Sequence, residues 1–111
     1  MKATTSDAGS GVVLLEVEGV VDAYTAPRLD KALRDLLARD HVRLLLDAQQ
    51  LTFISSAGLR VILFAHREAI QHGGEVRVFG LSPQLGRVFE IAGFYRLLRI
   101  SETLQEAMEG W

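Results

Sequence analysis

Two adjacent hydroxyls and a glycine, Ser55-Ser56-Ala57-Gly58, stand between an apolar run that ends at Ile54 and an apolar helical stripe that begins at Leu59. A serine at such a junction has unpaired backbone N–H groups beside it and the positive end of the helix dipole in front of it. Two chemistries suit that place. One is local: the hydroxyl caps the helix, a position for which serine is among the preferred residues. The other is phosphorylation, in which helix-terminal N–H groups receive a phosphate that adds about −1.5 to −2 of charge. That charge would repel a docked partner, or be badly desolvated against it, without unfolding the domain.

Other reactive types are sparse. His41, His66 and His72 suggest a metal site, but no pair of them falls at i, i+4 and there is no cysteine to support them, so they read as solvated or internally bonded histidines. Ser56 with a histidine and Asp22 suggests a hydrolase triad, yet the Gly-x-Ser-x-Gly elbow is missing and 111 residues leave little room for a substrate pocket. Gly9-Ser10-Gly11 and Gly73-Gly74 lack the Lys and Ser/Thr of a phosphate loop and read as turns. The expectation is a protein that is not an enzyme and needs no metal or cofactor.

Composition narrows the partners. Twelve Lys and Arg against fourteen Asp and Glu give a net charge of −2 with the signs mixed, which argues against a nucleic-acid footprint. No apolar run approaches the roughly 18 residues of a membrane span, and no signal peptide is readable before the first glycines, so membrane insertion is not expected. Zero cysteines fit a reducing compartment, and the expected location is cytoplasmic. With 49% hydrophobic residues the chain can bury a core, and residues 1–111 read as a single domain without linker or repeat.

The elements that position the serines follow from periodicity. Val12 to Glu18 reads as a strand, with Lys2 to Ser6 as a short hairpin partner across the turn formers Asp7 to Gly11. Thr25 reads as the cap of a helix with Pro27 in its first turn. Leu29, Ala32, Leu33, Leu36 and Leu37 give that helix an apolar stripe, and Asp30/Arg34, Lys31/Asp35 and Asp35/Arg39 pair on its wet side. Val42 to Asp47 reads as a buried central strand of a parallel sheet, followed by a connector from Ala48 to Ile54. A second helix carries Leu59, Ile62, Leu63, His66, Ala69 and Ile70 on one face and stops at Gly73-Gly74. Glu75 to Phe79 alternates as a strand, Ser82-Pro83 opens a helix that runs to Ile91, and Gly93 closes it. Leu97 to Ile100 reads as a last strand, after which Ser101 caps a terminal helix to Met108. The sum is an α/β domain with a mostly parallel mixed sheet of about four to five strands and about four helices. Function in such sheets gathers at the carboxyl ends of strands, here the Asp22 to Thr25 and Ile54 to Leu59 loops.

These loops carry a family resemblance. Leu51 to Leu59 resembles the signature loop of STAS domains, in particular the bacterial anti-sigma factor antagonists, where an acidic residue or serine precedes the phosphorylated serine, a small residue, Gly and Leu. Gly19-Val20-Val21-Asp22-Ala23-Tyr24-Thr25-Ala26 is similar to a second landmark of that family. Ser82-Pro83 with Phe89-Glu90-Ile91-Ala92-Gly93-Phe94 is similar to a third. The resemblance covers nearly the whole chain, in order.

Carried over by position, it makes Ser56 the phosphoacceptor and Asp22 a nearby loop carboxylate, and it gives Gly58 the role of letting the helix start pack closely. Many members have Asp immediately before the acceptor. Ser55 stands there instead and is a rival acceptor. The implied mechanism is partner switching. The unphosphorylated protein binds an anti-sigma factor that is also a serine kinase, so that a sigma factor is released; the phosphorylated protein lets go, and a serine phosphatase resets it. Tyr24, Thr25, Ser55, Ala57, Gly58 and Arg60 surround Ser56 as expected contact residues, with Phe64 either a contact or core. The expected assembly is a monomer or weak dimer. The alternative is a STAS adaptor subunit of another complex, such as an ABC-type lipid transporter or a stress or secretion regulatory module.

Overall fold

The computed structural model describes residues 1–111. Strands β1 (Lys2–Gly9) and β2 (Val12–Val21) form an antiparallel hairpin from Lys2↔Glu18 to Asp7↔Val13, with a bulge before Gly9. Gly9, Ser10 and Gly11 all take positive φ, which lets the chain reverse in so few residues. Strand pairing extends through Asp7 to Gly9 of the residues read as turn formers, and Ser10 and Gly11 make the turn.

Helix α1 (Ala26–Ala38) buries Leu29, Leu33 and Leu36, with Ala32 and Leu37 half-buried beside them. On its wet side Lys31–Asp35 and Arg34–Asp30 close at 3.0 and 2.9 Å. Asp35 does not pair with Arg39, which lies beyond the last helical residue. Strand β3 (Arg43–Asp47) is central, as its unbroken apolar sequence implied. The segment read as a connector contains strand β4 (Leu51–Ile54), which lies parallel to the far half of β2. Its burial runs in–out–out–in, so no alternation marked it as a strand.

Helix α2 (Ser56–Gln71) then crosses to β5 (Glu75–Phe79), and α3 (Pro83–Ile91) leads through a 3-10 turn at Phe94–Arg96 to β6 (Ile100–Ser101) and α4 (Leu104–Met108). The sheet has six strands rather than four to five, ordered β1-β2-β3-β5-β6 with β4 on β2. Every pairing except the first is parallel. Along the edge opposite β1, the ten residues of β2 serve two further partners: Val12 to Glu16 pair with β3, and Gly19 to Val21 pair with β4. Gly19, at φ +91°, lets the strand bend where the β4 register shifts.

Helices α1, α2 and α3 cover one sheet face with the main core; α4 covers part of the other over Val12, Leu45 and Phe79. Three expectations change here. Strand β5 is buried on both faces. Arg77, 4% exposed, donates to Glu75 Oε1 and to the carbonyls of Ala107 and Glu109, and its guanidinium lies 3.8 Å from the Trp111 ring centroid. Most of Leu97 to Ile100 is not strand, because the 3-10 turn delays pairing until Ile100. Ser101 belongs to β6, and Thr103 caps α4 by accepting the Glu106 N–H at 3.2 Å.

Candidate functional site

The β2–β4 pairing builds the site. Val21 and Ile54 are register partners at the ends of their strands, and the Ser55 N–H donates to the Val21 carbonyl at 2.8 Å. The loop after β2 and the loop into α2 therefore leave the sheet side by side. Gly58 seals the junction: a Cβ there would lie 2.7 Å from both Ile54 Cγ1 and Val21 Cγ1, so only glycine lets the first turn of α2 settle on the strand ends.

The two serines differ in what they give the helix. Ser55 is the cap, extended at φ −89°, ψ 173°, with its Oγ accepting the Gly58 N–H over a long 3.4 Å. Ser56 is the first helical residue, exposed, and its hydroxyl has no hydrogen-bond partner in the chain. The cap reading thus falls on Ser55, because a cap must precede the helix to reach the N–H groups of its first turn. Ser56 Oγ is left free at the N-terminal turn of a 16-residue helix, where backbone N–H groups and the dipole favour negative charge.

Asp22 and Thr25 brace the neighbouring loop. Asp22 Oδ1 accepts the N–H groups of Tyr24 at 2.9 Å and Thr25 at 3.1 Å, while Thr25 Oγ1 accepts the Asp22 N–H at 2.8 Å. The Thr25 hydroxyl has two acceptors within donating distance, the Val20 carbonyl at 2.9 Å and Asp22 Oδ1 at 3.2 Å. The Thr25 backbone N–H, followed by those of Tyr24 and the Thr25 hydroxyl, holds the Asp22 carboxyl below the ordinary aspartate range against an opposing desolvation effect. Thr25 makes no side-chain cap bond to α1, contrary to the expectation from sequence. Its hydroxyl is committed to the brace, and the Thr25 and Asp22 carbonyls receive the first helix N–H groups instead.

The brace leaves Tyr24 standing out, 92% exposed. Val20 and Phe53, cross-strand partners on β2 and β4, are also exposed. Neither was singled out from the sequence, because without β4 nothing pairs them. Ala57 is half-buried against the core, and Arg60 is exposed one turn into α2. Phe64 is half-exposed about two helical turns beyond Ser56, beside Arg34 and Leu37 of α1, so it does not join the loop cluster. His66 lies in α2 facing the core; its Nδ1 accepts the Val76 N–H at 3.1 Å. What the arrangement offers is a modifiable hydroxyl on a firm surface beside exposed apolar side chains.

A family model described as the STAS domain matches residues 5–107. The anti-sigma factor antagonist BtrV of Bordetella bronchiseptica is 33% identical over 103 residues, covering 93% of this chain and 89% of the relative. The anti-sigma-B factor antagonist of Listeria monocytogenes is 36% identical over 84 residues, 76% of this chain and 74% of its own length. An anti-sigma factor antagonist from Thermotoga maritima has a similar structure, with a TM-score of 0.89 at 22% identity over 96% of this chain and 92% of that one. The phosphorylated form of SpoIIAA from Bacillus gives 0.74 at 17% identity over 97% of each chain. At those identities the solved structures show a shared fold.

Proposed function

The chain belongs to the STAS domain family, and on that premise we propose that it acts as an anti-sigma factor antagonist whose hold on its partner is set by phosphorylation of Ser56. Unphosphorylated, it binds an anti-sigma factor that is also a serine kinase, and a sigma factor is released. Phosphorylated, it lets go, and a serine phosphatase resets it. The reaction takes place in the cytoplasm, with this chain as substrate and ligand rather than catalyst. The curated relatives carry sigma-regulator names, which supports this reading over that of a transporter adaptor.

The observation that carries the reading is the division of labour between the serines. Ser55 supplies the cap and Ser56 Oγ supplies nothing to the fold, so a phosphoryl group on Ser56 breaks no internal bond. It places about two negative charges beside the exposed Val20, Tyr24 and Phe53, where a docked partner would exclude water. Desolvating such a charge inside an interface costs far more than at its rim. Asp22, already ionised, adds to the same field.

The site assignment is tested by intact-mass measurement of protein from the native host before and after phosphatase treatment, with fragmentation to place the group. One phosphate on Ser56 is the expected result. Phosphate on Ser55 instead, or on neither serine under every growth and stress condition, contradicts it.

A further inference from the structure

At the other end of α2, the segment joining α3 to β6 leaves an open groove of about 460 Å³. Ile70, Tyr95 and Leu97 line it and are 54%, 49% and 46% exposed, three large apolar side chains held in water along one trough. Single exposed apolar residues need no explanation, but a contiguous group of them marks an interaction surface. Arg96 and Arg99 stand on the groove walls, and Arg67 lies one helical turn before Ile70.

None of the three arginines is in a salt bridge; the ion pairs of the chain are Lys31–Asp35, Arg34–Asp30 and Arg77–Glu75. Arg99 donates to a carbonyl, that of Glu109, and keeps its charge uncompensated. The one carboxylate lining the groove, Glu75, is already held by Arg77 at 2.7 Å. In a chain of net charge −2 this is a local excess of positive charge around an apolar floor. The floor is firm: Leu98 is 5% exposed, and His66 beneath is fixed by the Val76 N–H.

We propose that this groove docks an acidic amphipathic helical segment of a partner protein. Apolar side chains one turn apart seat between Ile70 and Leu97, and carboxylates flanking them pair with Arg67, Arg96 and Arg99. Ile70 lies fourteen residues along α2 from Ser56, about 21 Å at 1.5 Å per residue. The groove is therefore a second contact surface, separate from the phosphoacceptor, and can be occupied in either phosphorylation state.

The test titrates the full chain with a synthetic helical peptide bearing Leu at i, i+4 and i+7 and Glu on the flanks, read by amide chemical shifts and fluorescence anisotropy. Shifts should centre on Ile70 and on Tyr95 to Arg99. Ile70→Asp, the double variant Arg67→Glu/Arg96→Glu, and a peptide with Lys in place of Glu should each weaken binding by at least about tenfold. Ser56→Asp should bind the peptide as the wild type does. These substitutions sit on exposed side chains, so an unchanged melting temperature certifies that the fold is intact; should Ile70→Asp melt early, Ile70→Ser replaces it. No shifts up to the solubility limit of the peptide, shifts centred elsewhere, or equal binding of the Lys peptide would overturn the proposal. So would self-association of the chain that Ile70→Asp abolishes, since a second copy would then be the occupant.

Discussion

Val21 and Ile54 pair in register at the ends of β2 and β4, and their side chains close on the space where Gly58 lacks a Cβ, 2.7 Å from each. Both are core residues, so neither can swing away. Gly58→Ala should cost about 1–3 kcal/mol through overpacking, partly offset by the better helix propensity of alanine. Urea unfolding measures it, and the expected companion effect is loss of partner binding, because the Ser55–Ser56 turn is lifted from the strand ends. A neutral Gly58→Ala would show that the junction is looser than this packing implies.

The two serines should respond differently to alanine. Ser55→Ala removes a weak cap and should cost about 0.5–1 kcal/mol, whereas Ser56→Ala should stay within about 0.5 kcal/mol of the wild type. Under the proposed function, Ser56→Ala should also bind the anti-sigma factor constitutively. The opposite ranking in chemical denaturation would move the cap to Ser56.

Asp22 ties its loop together more strongly when ionised. Its carboxyl titrates below the ordinary aspartate value of 3.8, chiefly because of the Thr25 N–H, so the stability it contributes is present above that value. It is lost as the pH falls through the lower folded-state value. Asp22→Asn should therefore be less stable than the wild type at neutral pH, and the gap should close in strong acid. A gap that persists unchanged into strong acid would mean that charge is not what holds the loop.

His66 works in the other direction along the pH scale. Burial pushes its pKa below the ordinary 6.5, against the opposing pull of the Leu97 carbonyl and the Glu75 carboxylate. The unfolded chain therefore binds a proton that the folded chain resists. Stability is full above about 6.5 and falls as the pH drops from there toward the folded-state value. His66→Gln, which retains an acceptor for the Val76 N–H, should flatten that part of the melting-temperature profile. A profile unchanged by the substitution would remove His66 as its source.

Tyr24 contributes nothing to the core at 92% exposure, so Tyr24→Ala should leave the melting temperature in place. As an exposed aromatic in the loop next to the Ser55–Ser56 turn, it should cost about 2 kcal/mol of partner binding when replaced, measured by calorimetry with the cognate anti-sigma factor. Unchanged affinity would place the interface elsewhere.

Much of this architecture is legible in the sequence. The 3.6-residue stripes give α1 and α2, Ser82-Pro83 and Gly93 bracket α3, and the unbroken apolar run gives the central β3. Both site loops are legible as well, since turn formers and hydroxyls mark the ends of strands. Strand β4 is not, because Leu51 and Ile54 point inward while Thr52 and Phe53 point outward, a burial order without a period. With β4 hidden, the exposed pair Val20 and Phe53 stays hidden too; the close packing at Gly58 follows from the family resemblance, but the strand ends it packs against, Val21 and Ile54, do not. Arg77 misleads for another reason: a charge in a strand reads as facing water, and its carbonyl partners Ala107 and Glu109 lie thirty and more residues away. The α4 cap was within reach. Thr103-x-x-Glu106 has the capping-box sequence and outweighs Ser101; Thr103 Oγ1 accepts the Glu106 N–H at 3.2 Å and donates to the Glu106 carboxylate at 2.9 Å.

The most direct test of the proposed switch is the affinity of the cognate anti-sigma factor for two forms of one protein, unmodified and stoichiometrically phosphorylated on Ser56, compared by calorimetry alongside their melting curves. Phosphorylation should weaken binding by at least about a hundredfold while leaving the melting temperature nearly unchanged, a charge buried at an interface and not a broken fold. Equal affinity of the two forms would contradict the account.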